Sequence, residues 1–141
     1  MPRYWIAVAS REHVMLGVKA GIAQVCHGKP GPLKLMKPGD WIVYYSPVEI
    51  FGQKTPCRRF TALGKVDKKE PYQYAMSKDF IPWRRDVTFL TTQELAIEPL
   101  IEKLTFIKNK QRWGFPFRRG VFSVPRQDFE LIAQGMGVDV T

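Results

Sequence analysis

Cysteine is nearly absent from this sequence. Cys26 and Cys57 are the only two among 141 residues, too few for a disulfide framework and not in a metal-ligand spacing, so we expect reduced thiols and a cytoplasmic protein. Histidine is as scarce, with His13 and His27 alone. No apolar run approaches the roughly 18 residues needed to cross a bilayer. The opening MPRYWIAVAS lacks an extended apolar region and does not read as a signal peptide. A GxSxG elbow, a glycine-rich phosphate loop, an HExxH pair and a paired-cysteine motif are all missing. Cys26 and His27 are neighbours, so on a strand their side chains would diverge. The acidic residues are scattered, and Asp40 and Asp86 flank strands as turn or salt-bridge groups. We therefore expect no catalytic residue, no metal site and no cofactor.

The shortage of acid is the informative one. Asp and Glu number 13 against 22 Lys and Arg, a formal charge of +9. That imbalance favours polyanionic partners and steers them from a distance. The remaining composition, 45% hydrophobic and 25% charged, is that of a globular chain. The length suits one domain over residues 1–141, and no repeat or low-complexity tract divides it.

The aromatic, β-branched run 4–9 reads as a buried first strand. Ser10 then caps a short helix, its hydroxyl accepting a first-turn N–H, and Gly17 and Gly21 close it. A short strand over 22–26 precedes a Pro/Gly-rich loop, and the turn Lys37-Pro38-Gly39-Asp40 launches WIVYYS over 41–46, the strongest strand signal. Period-two alternation places Trp41, Val43 and Tyr45 on one face and Ile42, Tyr44 and Ser46 on the other, one facing the core and the other available to line a cleft. Further strands are expected over 60–66 and 87–90, with Gly64 marking a bulge or a close approach. Residues 70–78 read as a loop and 93–104 as one or two helical turns split by Pro99. Residues 113–124 read as an irregular, then regular strand, and a helix starts at Pro125 with Asp128 in its first turn. About six short strands and three short helices, unevenly interleaved, argue for an α+β fold, a small mixed barrel with helices at its ends.

Two constellations carry chemistry. Arg84-Arg85 and Arg118-Arg119 sit beside aromatics in PWRRD and WGFPFRRG, and residues 108–119 hold five basic side chains and no acidic one. Guanidinium groups grip phosphate bidentately and stack on bases, so arginine interleaved with aromatics suits a single strand or a flipped base. Adjacent arginines on a strand would instead point to opposite faces. The aromatics Trp5, Trp41, Tyr44, Tyr45, Trp83, Trp113, Phe115 and Phe117 supply flat surfaces for a base, although most such rings in a small domain are core.

The segments YWIAVASREH, AQVCHGK, KPGDWIVYYSP, FIPWRRDV and WGFPFRRGVFSV, spread from about Tyr4 to Ile132, resemble the EVE domain family of the PUA-like superfamily, alongside YTH and ASCH domains. The resemblance implies a PUA-like pseudo-barrel with peripheral helices and a pocket for a modified nucleobase in RNA or DNA. By motif position that pocket draws on Ser10, His27, Gly28, Trp41, Tyr44, Tyr45, Ser46, Trp83, Arg84, Phe115, Arg118 and Arg119. Within it Trp41, Tyr44 and Trp83 would stack. Ser10, Ser46 and the backbone near His27 would read the base edge, and Arg84, Arg118 and Arg119 would hold phosphates. We expect a monomer that binds nucleic acid, no membrane partner and no enzymatic activity. The competing readings are a hydrolase or nuclease on the same barrel and a protein-interaction adaptor. The first would need carboxylates gathered around a metal ion or an activated nucleophile, and the second an exposed apolar surface.

Overall fold

A computed structural model describes residues 1–140. Eight strands form one curled sheet, a half-barrel, in the order β2-β6-β4-β3-β1-β8, with β5 added to β6 and β7 to β4. Their ranges are β1 (Tyr4–Val8), β2 (Ile22–Ala23), β3 (Trp41–Val48), β4 (Pro56–Val66), β5 (Tyr72–Gln73), β6 (Trp83–Phe89), β7 (Leu95–Ala96) and β8 (Val121–Ser123). Helices α1 (Arg11–Ala20), α2 (Gly31–Leu35) and α3 (Arg126–Gly135) lie around it. β1 and β3 pair in parallel, which requires the long crossover that α1 and α2 occupy. The other pairs are antiparallel.

The first helix forms as its caps dictate. Ser10 Oγ accepts the backbone N–H of His13 at 3.3 Å, and Gly21 ends the helix in the left-handed conformation with φ 71°, which a residue without Cβ adopts freely. Gly64 permits a close approach, since a Cβ there would lie 2.7 Å from the Thr88 carbonyl oxygen of β6.

β3 is covered on both faces. Trp41, Val43 and Tyr45 enter one apolar cluster with Phe60, Phe129 and Ile132, while Ile42 and Tyr44 enter a second with Trp5, Val14 and Leu33. Both faces are thus core over most of their length, where a cleft along one was expected, and only toward the strand's end do Tyr45, Pro47 and Val48 border a cavity. α3 packs into the first cluster while α1 and α2 contribute Val14 and Leu33 to the second, and each fully buried large aliphatic or aromatic side chain contributes about 1.5–3 kcal/mol.

The extra strands are the two-residue β5 and β7. Of the helical turns expected over 93–104, the second half forms, as a 3-10 turn at Glu98–Leu100 that holds Pro99, while the first half is β7. Leu95 pairs with Phe60 of β4 and the Ile97 N–H bonds to the Arg58 carbonyl, so tertiary pairing overrides the helical spacing. The loop after β2 holds α2, and the irregular strand before β8 is a 3-10 turn, Phe115–Arg119.

Candidate nucleic-acid interface

Several elements converge where the parallel strands β1 and β3 end. The Val8 N–H bonds to the Gly120 carbonyl at 2.8 Å, Ala9 N–H to Tyr45 at 3.2 Å, and Glu12 N–H to Glu49 at 2.9 Å. These bonds tie the start of α1, the β3–β4 hairpin and the end of the 115–119 turn to one edge.

A strap, Cys26–Gly28, closes over this edge. Its three residues hold φ of 48°, 59° and 84°. A non-glycine residue in that region is sparsely populated, and two in succession store strain of about 1–3 kcal/mol each, a pattern found at ligand clamps. Gly28 has no alternative, because a Cβ would stand 2.4 Å from the Pro82 Cβ. The His27 ring meets Phe51, at the tip of the β3–β4 hairpin, with centroids 6.1 Å apart. A Cβ on Gly120 would lie 3.3 Å from Cys26 Sγ. The strap therefore bridges the entry to β6, the hairpin tip and the end of the 115–119 turn.

Next to the strap, after β2, sits a buried polar network. Gln24 Oε1 accepts both Arg84 Nε, at 2.9 Å, and Arg84 Nη2, at 2.6 Å. The Gln24 carbonyl accepts the Tyr44 hydroxyl at 3.4 Å and lies 3.4 Å from His13 Nε2. Gln24 Nε2 reaches Met76 Sδ at 3.7 Å. Tyr74 lays its ring over the Arg84 guanidinium, 4.1 Å from its centroid. Arg84 is 9% exposed yet forms no ion pair among the described residues. A buried cation held only by a neutral amide and a π face is poised for an electron-rich group. Its neighbour Arg85 points the other way, donating to the carbonyls of Leu33 and Met36 at 3.1 and 2.8 Å, as strand alternation requires. Near Tyr74 the 76–81 loop presents Met76, Phe80 and Ile81 to solvent.

Of the residues expected to form the pocket, Ser10, His27, Gly28, Tyr44 and Arg84 lie around the strap and this network, whereas Trp83 alternates with Arg84 and shares the α2 side of β6 with Arg85. Ser10 is occupied as the α1 cap. Trp83 is half-buried with Lys34 Nζ 4.9 Å from its ring centroid. Tyr44 is buried in the second cluster rather than presented as a stacking surface: burial raises its hydroxyl pKa, and its ring packs toward Phe89. Ser46 is fully buried on Thr61 at 2.8 Å. Trp41 is not brought to this end. It starts β3, five residues and roughly 17 Å before Ser46, and packs on Phe129 beneath Lys65. Phe115, Arg118 and Arg119 are exposed on the 115–119 turn, where Arg118 stacks on Phe115 and Arg119 on Phe122.

Tyr45 faces away from the network, into a cavity of 310 Å³ that Trp113, Phe117, Lys54 and Arg58 also line. Sequence reading missed Gln24, Tyr74, Lys54 and Arg58. A third arginine pair, Arg58-Arg59, was the available signal for one of them. Cys57 is held as a thiol, its pKa pushed up to about 11 by burial and the Glu49 carboxylate, which leaves it a poor nucleophile at neutral pH. Among the described residues no three His, Cys, Asp or Glu side chains gather to hold a metal ion, and no helix is long and apolar enough to cross a membrane.

The fold is a curled α+β half-barrel with few short helices, and it carries a strained strap near a buried arginine. The EVE domain profile matches residues 3–135, and the chain belongs to the EVE domain family. It is 48% identical to the UPF0310 protein msl3206 of Mesorhizobium japonicum, covering 100% of this chain and 96% of that one. It is 43% identical to the UPF0310 protein YdcG of Bacillus subtilis, over 98% and 94%. In fold it is similar to Rpa0253 of Rhodopseudomonas palustris, solved by NMR (TM-score 0.58, 14% identity, 96% and 93% covered). A hypothetical protein of Leishmania major is similar too (TM-score 0.58, 15% identity, 95% and 94% covered).

Proposed function

We propose that the chain is a non-enzymatic module that binds RNA or DNA and reads one nucleobase, modified by a small substituent, at the strap. The observation that carries this reading is Arg84, a buried cation with no counter-ion among the described residues, gripped on one edge by Gln24 and stacked on one face by Tyr74. A base carbonyl or ring nitrogen would accept from its remaining N–H groups, and Tyr74 would supply a flat surface. The strap, strained in the free chain, would be the element that shifts to admit the base. Arg118 and Arg119, exposed beside it, would meet the phosphate backbone. A cytoplasmic monomer fits the reduced cysteines and the basic surface.

Isothermal titration of the chain against a panel of nucleosides and short oligonucleotides, including 5-substituted cytosines and N6-methyladenine, tests the reading. We expect one modification to bind tighter than its parent base, with binding lost in Tyr74→Ala and in Arg84→Met. Equal affinity for every base, or affinities unmoved by either replacement once folding is verified, would reject base reading. Recovery of cleaved oligonucleotide would favour an enzyme instead.

A further inference from the structure

The cavity on the other side of the β3–β4 hairpin belongs to no part of that network. We infer that it is a second subsite, for one nucleotide of a single strand, with the phosphate on Lys54 and Arg58 and the base against Trp113. The inference rests on base reading at the strap only in making this nucleotide a neighbour of the one read.

The hairpin is built to create it. Between the pairs Ser46↔Arg59 and Val48↔Pro56, β3 contributes one residue, Pro47, and β4 contributes two, Cys57 and Arg58. Arg58 is thus part of a bulge, and its φ of 54° is the left-handed conformation such bulges use to re-aim a side chain. Its carbonyl is pinned by the Ile97 N–H at 3.1 Å. Strain at a non-glycine residue with its backbone anchored marks a site whose side chain is placed deliberately.

Electrostatics leaves these two cations free. The carboxylates nearby, Glu49 and Glu94, are engaged by Arg11, and Glu94 also by Arg59 at 3.7 Å. Lys54 and Arg58 form no ion pair among the described residues, and the cavity is lined by no Asp or Glu. Arg58 acts on the Tyr45 hydroxyl, opposing the rise in its pKa that burial causes. That hydroxyl has no hydrogen-bond partner among the described residues and is available to donate.

The aromatic wall is closely packed. Tyr45 and Phe117 pack with centroids 4.3 Å apart, and Trp113 stands on edge to both, at 6.5 and 6.4 Å. A volume of 310 Å³ is at the small end of ligand pockets, about 300–1,000 Å³, and suits one nucleotide rather than a duplex. A ring to stack on, two unpaired cations and no acid is the chemistry of a single-strand groove. The strap meets the hairpin tip, through His27 on Phe51, and the end of the 115–119 turn, through Cys26 beside Gly120, and these two elements also carry Lys54 and Phe117 of the cavity, so a strand held in the cavity runs toward the strap.

The test uses the full chain, labelled with 15N and titrated with adenosine 5′-monophosphate and with adenosine. We expect the Trp113 indole, Gly114 and Arg58 signals to move with the monophosphate, which binds at least about fivefold tighter than the nucleoside. The double variant Lys54→Gln/Arg58→Asn should erase that difference with the melting temperature kept, because Asn tolerates the left-handed backbone. It should also lower the salt slope of oligonucleotide binding by about 1. Trp113→Leu should weaken oligonucleotide binding roughly fivefold or more. Equal affinity for both probes, signals moving only at the strap, or an unchanged double variant would each overturn the subsite. Movement at Trp113 with none at Gln24 or the strap for any modified nucleoside would keep it and reject base reading.

Discussion

Arg84 places two of its N–H groups on a single amide oxygen of Gln24, at 2.9 and 2.6 Å, across 60 residues of sequence. The fork is short and buried, and the acceptor is neutral. The arginine therefore keeps its full charge where a carboxylate partner would have cancelled it.

Gln24→Ala should lower stability by about 2–3 kcal/mol, the scale for hydrogen bonds to a charged group left without its acceptor in the interior. Gln24→Glu should fold at least as well by pairing with Arg84, yet bind nucleosides far more weakly because the cation is neutralised. Urea unfolding with nucleoside titration of both variants checks this. Undiminished binding in the glutamate variant would show that the charge of Arg84 is not what a ligand meets.

Gly28→Ala should lose about 1–3 kcal/mol, seen as a drop in melting temperature of roughly 5–10 °C. The cause is the 2.4 Å approach to Pro82 together with φ of 84°. Gly31→Ala is the control, since a Cβ there meets nothing within 4 Å and its φ is not positive. Equal melting temperatures for the two variants would show that the strap is loosely held.

The pH dependence near acid should come in part from Glu94. Its carboxyl pKa is lowered by the hydrogen bonds and charge of Arg11, against a smaller opposing effect of burial. A carboxylate with a depressed folded pKa adds stability above its unfolded value, near 4.5, and that stability is lost as pH falls through the folded value. The pair is partly exposed, with side-chain exposures of 38% for Arg11 and 24% for Glu94, so the contribution should stay below about 1 kcal/mol. Urea midpoints from pH 6 to pH 3 should fall less in Glu94→Gln than in the parent chain. Parallel curves would rule the pair out.

Arg118→Gln and Arg119→Gln should each weaken oligonucleotide binding, and together should reduce the salt slope by about 1–2 while leaving the preference for a modified base unchanged. Anisotropy titrations at several salt concentrations separate this from base reading. A changed preference would place these arginines on the base itself.

Much of the frame was legible along the chain. Period-two alternation in WIVYYS assigned Trp41 and Tyr45 to one side and Tyr44 to the other, and Ser10 capped α1 by its chemistry alone. Asp40 behaves as the turn group expected, accepting from Lys37, Arg3 and Trp5. Asp128 shows the limit. It is the first-turn charge of α3 that was expected, but it is also fully buried and clamps Thr105 and Phe106 through three hydrogen bonds, which the sequence did not suggest. β5 and β7 escaped notice because a two-residue strand has no period of its own.

By itself the sequence determined which residue types this protein could bring to a ligand: arginine beside tryptophan and tyrosine, an excess of positive charge, and hardly a group suited to nucleophilic or metal chemistry. Tertiary structure alone decided which of them meet. Alternation tells that Arg84 and Arg85 part company, but only the packing of β2 and the 74–81 loop against β6 shows that one keeps a free, buried charge while the other is absorbed by backbone carbonyls. It also took Trp41 into the core and turned Arg58 toward Trp113. Local propensity acts over a few residues, whereas burial and electrostatic pairing are settled by neighbours far away in the chain.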